Sequence, residues 1–537
     1  MLSPAVKRNL LLLIGTITWS VTTVKSGLIY KFGLGFWGPH GHDGVWHLSL
    51  IENLSVGNYS MPLFAGETIK NYHLGFDLLV ALIHRLTFIP VSLLYFQILP
   101  PVFALFIGFM VYKLIKAWTK SESAALWSVF FTYFGSSLGW AISIFRDGSL
   151  GGESLFWSQQ AISTLINPPL ALSFCLLLLG LWLLQSRRLV WAGIVFGLLP
   201  SIKIYGGLLG LSGLFFICFK DKSYLKTFII SLLISLILYL PFNLSASGLL
   251  TWDPLWFLKN LMNVDHLNWP HYFSALDTYT VGGIWYKAIP AFFIALLIFL
   301  VGNLSTRLFG VFSFTDPKKL EWWTVFLTAS ALLGILPPML FLQQGTAWNT
   351  IQFYYYTQFF MGILAGVGVS KLKPSPIIFS LIVLLTIPGT IGTLPHYLPA
   401  RPPAKLSHEE LAALKYLSSQ KPGIVLTMPF DPGAASAAIN FPPRPLYLYE
   451  STAYVSAYSK QQVFLEDEVN LNITGYAWKD RRRESLSFFK NPNREFVDIH
   501  NIKYIYLVGS QRQPISNHIP ALSQIFTNSL VDIYRVD

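Results

Sequence analysis

Residues 93–116 read LLYFQILPPVFALFIGFMVYKLIK. From Leu93 the chain runs twenty residues without a charge and then closes on Lys113 and Lys116. A helix of that length, rising about 1.5 Å per residue, crosses the roughly 30 Å hydrocarbon core of a bilayer. The pattern of a long apolar run closed by basic residues recurs along the chain. Its 537 residues are 53% hydrophobic, 16% aromatic and only 12% charged. Mean hydropathy is +0.51. Soluble domains carry about 25% charged residues, so the composition predicts a polytopic membrane protein.

The net charge of +12 does not point to nucleic acid, because the basic residues fall in short clusters between apolar runs. These clusters are Lys7-Arg8, Lys113/Lys116/Lys120, Arg187-Arg188, Lys220/Lys222/Lys226, Arg307 with Lys318-Lys319, and Lys371/Lys373. Cytoplasmic loops have this appearance. The apolar runs predict spans near 9–29, 93–115, 122–144, 162–184, 188–202, 204–220, 227–246, 284–304, 322–342, 352–370 and 375–394. Those eleven crossings place the N-terminus inside, the C-terminus outside and every basic cluster on the cytoplasmic side. The first helix reads as an uncleaved signal-anchor. Cys175 and Cys218 both lie in apolar runs and supply no disulfide framework.

The predicted fold class is therefore mainly α: a transmembrane helical bundle over 1–394 and an extracytoplasmic α/β domain over 395–537. Pro395, Pro402 and Pro403 mark the linker. Ser407 with Glu410 is a capping-box start to a helix through about Leu417. Strands are expected at 423–429, 503–508 and 530–535, and a helix at Trp478–Lys490. The tail contains neither a Gly-x-Gly-x-x-Gly nor a Walker pattern.

Acids and imidazoles gather in the predicted outer loops. The first, 31–92, is long and holds His40, His42, Asp43 and His47, then Tyr72, His73 and the short apolar piece 78–86. That piece is too short to span and reads as an interfacial or re-entrant helix. Other outer loops hold Arg146, Asp147, Glu153 and Gln159, then Asp253, Asp265, His266 and His271. A carboxylate between imidazoles at the membrane edge can be a general base, a metal ligand or a solvated loop acid. On a helix, Asp43 and His47 share one face at i, i+4. Two ligands are too few for a cation, so a Mg²⁺ or Mn²⁺ site would also draw on residues such as Asp147 and Glu153. No complete ligand set is readable, and no cofactor is assigned from the sequence. Glu466-Asp467-Glu468 reads as a solvated acidic turn, or as a cation or sugar site.

In plan and local pattern the chain resembles the C-type fold glycosyltransferases, which take a sugar from a polyprenyl-phosphate carrier. Protein O-mannosyltransferases, aminoarabinose transferases and oligosaccharyltransferase catalytic subunits belong to that group. The resemblance rests on Asp43 soon after the first span, Tyr72-His73-Leu74-Gly75-Phe76 before a short apolar helix, and Val111-Tyr112-Lys113 ending a span. Gln352-Phe353-Tyr354 at a late span and the closing α/β domain complete it. Bacterial members often carry Arg where this chain has Gln352, which removes one phosphate contact.

The resemblance implies that Asp43 is the general base. His42 and His47 can tune it, bind a metal or bond sugar hydroxyls, and His73 is a further substrate contact or metal ligand. The leaving phosphate needs a cation. Lys203, in an apolar run after Pro200, is the first candidate, with Arg146 and Lys259 behind it. A snorkelling helix-end lysine is the alternative for Lys203. Gln352 and Tyr354 line a sugar or prenyl pocket, or belong to an interfacial aromatic belt. The implied partners are the bilayer, a polyprenyl-phosphate sugar and an acceptor that is a lipid, glycan or protein. A flippase of lipid-linked sugars and a non-catalytic assembly factor remain alternatives.

Overall fold

In the computed structural model, residues 3–246, 248–263, 266–314, 320–515, 519 and 521–537 are described. Asp265, Lys318 and Lys319 lie outside them. The chain divides into two compact units. The first comprises Met1–Thr22, Pro100–Pro241 and Ser247–Leu398; the second comprises Thr23–Leu99, Phe242–Ala246 and Pro399–Asp537. The sequence boundary at 394/395 is thus only one of several crossings between units.

Among the described residues, six helices are long and apolar enough to cross a membrane, or seven if the bent pair Glu122–Phe134 and Gly139–Asp147 is one span. The expectation of eleven is corrected for physical reasons. Pro4–Ser20, Leu189–Ile202 and Ile204–Lys220 form helices of 17, 14 and 17 residues, each below span length. Gln352–Leu372 has 21 residues, but it opens with QFYYYTQ, which lowers its hydropathy. Val91–Thr119, Pro168–Gln185, Lys222–Asn243, Trp285–Phe314, Trp322–Leu340 and Pro376–His396 overlap the expected spans, with ends that differ by up to ten residues.

The first unit is built around the Gln352–Leu372 helix, which packs against Glu122–Phe134 and the 3-10 segment Ser305–Phe314. Close approach needs small residues: a Cβ on Gly366 would fall on the Ser128 backbone nitrogen. Tyr133 is fully buried and donates to the Ala104 carbonyl at 2.7 Å, while its own carbonyl accepts the Trp19 indole at 2.8 Å. Burying these aromatics with their polar tips satisfied fixes the Pro4–Ser20 helix in the unit.

The second unit is α/β. A five-stranded sheet has the order Leu522–Thr527, Val531–Val536, Ile502–Val508, Ile424–Thr427, Gln462–Val463. The Ile424–Thr427 strand runs parallel to both of its neighbours. The expected strands, the Trp478–Lys490 helix and the Ser407/Glu410 capping box are all present. A second sheet was not legible in the sequence. Gly33–Phe36 pairs with Ala404–Leu406, so residues of the first outer loop join the C-terminal segment in one fold. Backbone bonds repeat this junction: Val463 donates to Pro62 at 2.7 Å and Ala65 to Val463 at 3.0 Å.

Candidate functional site

In the second unit, Gly38–Gly41 makes a 3-10 turn, His42 caps it and Asp43 opens the Asp43–Ser55 helix. An acid in a helix's first turn is favoured by the helix dipole. His42 Nδ1 lies 2.8 Å from Asp43 Oδ1, with side-chain exposures of 35% and 48%. Burial pulls the His42 pKa down, but the adjacent Asp43 carboxylate and the more distant Asp467 charge outweigh it and hold the pKa above the usual imidazole value.

Asp43 and His47 share one helix at i, i+4, yet their side chains take different partners. His47 turns inward, and its Nδ1 lies 2.7 Å from Oδ1 of Asp77. Asp77 is fully buried, His47 is 6% exposed, and the second Asp77 oxygen has no hydrogen-bond partner. The His47 ring stacks on Tyr95 and meets the edge of Phe76, and its Nε2 is 3.4 Å from the Tyr72 hydroxyl. His73 stacks on Tyr72 at 4.5 Å. The sequence singled out His47 and His73, while Asp77 and Tyr95 went unassigned. Their partnership spans 30 residues or more and leaves no periodic signal.

The acidic turn is buried rather than solvated. Glu466, Asp467 and Glu468 are 8%, 4% and 5% exposed. Glu466 accepts the N–H groups of Val455 and Ser456 at 2.7 and 3.1 Å, and Glu468 pairs with Arg482. Burial pushes Glu466 up to about 8 against those two bonds. Burial likewise pushes Asp467 up to about 6, with its Asn470 bonds and His42 opposing and Asp43 adding. A cavity of about 40 Å³ lies beside these acids, lined also by Thr427, Thr452 and Tyr454. It opens where parallel strands end, the usual ligand position in α/β sheets. The Thr452 hydroxyl donates to Gly41 at 3.3 Å, tying this wall to the turn before Asp43.

The first unit holds the other candidates. Lys203 is 4% exposed and caps the Ile204–Lys220 helix. Its Nζ donates to Asn167 Oδ1 at 3.4 Å, and that same oxygen caps the Pro168–Gln185 helix through Leu170 N–H at 3.1 Å. A buried ammonium at two helix N-termini suits an anion. Arg146 is exposed, pairs with its neighbour Asp147 at 3.0 Å and donates to the His266 carbonyl at 3.2 Å. Lys259 pairs with Asp277 at 2.6 Å.

Gln352 lines a cavity of about 390 Å³ together with Glu153, Gln159, Tyr355 and Tyr397. Its Oε1 is buried without a hydrogen-bond partner, and its amide donates to Asn349. Tyr354 does not line that cavity; it is fully buried against Phe299. Glu153 is partly buried, which pushes its carboxyl up against bonds from Gln160 N–H at 3.1 Å and Thr393 at 3.2 Å. Arg307, expected in a cytoplasmic basic cluster, is instead 2% exposed inside the bundle.

For a cation, the four residues named from the sequence take separate partners: Asp43 with His42, His47 with Asp77, Asp147 with Arg146, and Glu153 with Gln160 and Thr393. Among the described residues, no group of three or more His, Cys, Asp or Glu is placed to hold a metal ion.

No protein-family model and no curated protein sequence matches the chain. Solved structures similar to it include the oligosaccharyltransferase of Archaeoglobus fulgidus tethered with an acceptor peptide containing the NVT sequon. That match has 12% identity and a TM-score of 0.48, covering 93% of this chain and 69% of that one. The same archaeon's AglB in complex with an inhibitory peptide and a dolichol-phosphate has a TM-score of 0.47, with the same identity and coverage. ArnT from Cupriavidus metallidurans in the apo state is 10% identical with a TM-score of 0.39, covering 98% of this chain and 97% of that one.

Proposed function

We propose that this protein is a membrane glycosyltransferase that moves a sugar from a polyprenyl-phosphate carrier to an acceptor on the outer side of the cytoplasmic membrane. The observation that carries the reading is Asp43. It is 48% exposed at the start of a helix, whereas Asp77, Glu466 and Asp467 of the same unit are buried. A half-exposed carboxylate held beside an imidazole suits a general base. The family resemblance in the first outer loop adds the donor class.

In this reading the acceptor's O–H or N–H oxygen or nitrogen attacks the anomeric carbon, and Asp43 takes the proton. The bond from that carbon to the phosphate oxygen breaks, and the carrier phosphate leaves with the electron pair. Within the first unit, Lys203 and the two helix N-termini beside it suit an anion such as a phosphate. Gln352, Glu153 and Tyr355 offer polar groups to a sugar in that unit's own cavity. The reading puts Asp43 and the C-terminal segment, which belong to one unit, on the outer side together.

The test is turnover by purified protein in lipid, with a panel of polyprenyl-phosphate sugars and with or without Mg²⁺ or Mn²⁺. Release of polyprenyl phosphate is expected, falling about 10²- to 10⁴-fold in Asp43→Asn. Release that is equal in both proteins removes Asp43 from the chemistry. No release from any donor, with carriers bound, favours movement of lipid-linked sugars across the bilayer.

A further inference from the structure

Arg307 sits where a charge is least expected. It belongs to the Ser305–Phe314 segment that continues a candidate span, and it is 2% exposed. Its depth follows from its neighbours. The Gln160 carboxamide receives the guanidinium and also accepts Gln358 at 3.3 Å. Gln358 lies 13 residues, or about 20 Å of helix, before Lys371, which reaches Ser313 at the far end of the same segment. Arg307 is therefore buried within a long apolar segment, where an ionised side chain requires a counter-charge or a task.

The hydrogen bonds supply no counter-charge. Arg307 Nη2 donates to Gln160 Oε1 and to the Asn303 carbonyl at 2.8 Å, both neutral, and Nε has no partner. Glu153 accepts from the Gln160 backbone at 3.1 Å and from Thr393 at 3.2 Å, not from the guanidinium. Among the described residues, no carboxylate pairs with the guanidinium. Beside it lies a cavity of about 20 Å³, walled by Phe131, Phe174 and Phe359. By the same measure about 10–15 Å³ holds one water, so there is room for one or two water-sized species. Other polar groups at the wall are already engaged: Thr132 donates to Ser128 at 2.7 Å and Thr164 to Ala161 at 2.7 Å. The Gln160 amide donates to Ser158 at 3.0 Å.

We propose that this cavity binds a single monatomic anion, a halide, that neutralises Arg307 inside the bundle. A phosphate group is disfavoured because its oxygens call for several donors, and the threonine and Gln160 donors at the wall are committed. A halide needs one cationic face and otherwise tolerates aromatic edges, whose rims are positive. The small cavity shares Gln159 and Tyr355 with the 390 Å³ cavity, which gives the ion a way in.

The whole protein, crystallised from a lipidic mesophase, is exchanged from chloride into bromide and measured at the bromine absorption edge. An anomalous peak within about 3.5 Å of the Arg307 guanidinium is expected. Water there, or no peak, overturns the proposal. Thermal unfolding in sodium chloride against sodium gluconate at equal ionic strength gives a second reading. Tm should rise about 1–2 °C per tenfold halide above the dissociation constant, and Arg307→Gln should abolish the dependence. Equal Tm in the two salts refutes it. If Arg307→Gln does not fold, the wild-type bromide and salt comparisons still decide.

Discussion

The buried pair His47–Asp77 lends itself to a quantitative test. The two side chains are 2.7 Å apart, with exposures of 6% and 0%, so solvent screening is slight. A hydrogen bond to a charged acceptor contributes about 1.5–3 kcal/mol net. Removing one partner of a buried pair leaves the other unsatisfied and costs about 3–5 kcal/mol. Asp77→Leu should therefore destabilise by that amount, and so should His47→Phe, which leaves both Asp77 oxygens without partners. The double variant replaces the pair by apolar groups among Tyr95 and Phe76. It should recover to within about 1–2 kcal/mol of wild type, giving a coupling of several kcal/mol. Asp77→Asn keeps one acceptor and loses only the charge, so it should cost about 1–2 kcal/mol. Unfolding of the four proteins in one lipid–detergent mixture measures the cycle. Additive single losses, or a neutral Asp77→Leu, would show that the pair is incidental.

Other predictions concern charge and packing. The His42 pKa is raised, so its imidazolium persists at pH values where an ordinary histidine has lost its proton; Asp43→Asn should lower it, seen by NMR titration over pH 5–8. An unchanged midpoint would separate the two residues. Burial pushes Glu410 up to about 7, from an ordinary 4.5, against its Ser407 bonds. The folded protein then binds more protons than the unfolded chain between these values, so stability falls as pH rises from 4.5 to 7, by about 3 kcal/mol at most. Glu410→Gln keeps the capping box and should flatten that slope in Tm measured against pH. Gly366→Ala puts a methyl on the Ser128 backbone and should cost about 1–3 kcal/mol, read as a lower Tm; an unchanged Tm would mean that the two helices can separate freely. Lys203→Met should weaken carrier binding at least about tenfold, measured directly with the polyprenyl phosphate, while Arg146→Met should leave it unchanged.

Several elements were legible in the residues alone. Apolar length and basic punctuation pointed to a membrane protein and to six of the candidate spans, or seven with the bent pair, because transfer of side chains into lipid is a local, additive property. The capping box at Ser407 and Glu410 and the Trp478–Lys490 helix were legible for the same reason: each is set by contacts three or four residues apart. Asp43 stood out because an acid beside imidazoles after a long apolar run is rare.

Tertiary structure decided what depends on distant partners. The pairing of Gly33–Phe36 with Ala404–Leu406 joins segments about 370 residues apart, and no sequence period encodes it. Asp43 and His47 open one helix at i, i+4 as expected, but His47 bonds Asp77 while Asp43 bonds His42. The turn Glu466-Asp467-Glu468, polar enough to belong in water, is buried because backbone N–H groups, Asn470 and Arg482 meet it there. Arg307 looked like one more loop cation until its carboxamide and carbonyl partners were assembled around it. The sequence by itself determined which stretches leave water. Which polar groups follow them inside was settled only by the fold, since their partners come from segments far apart in the chain.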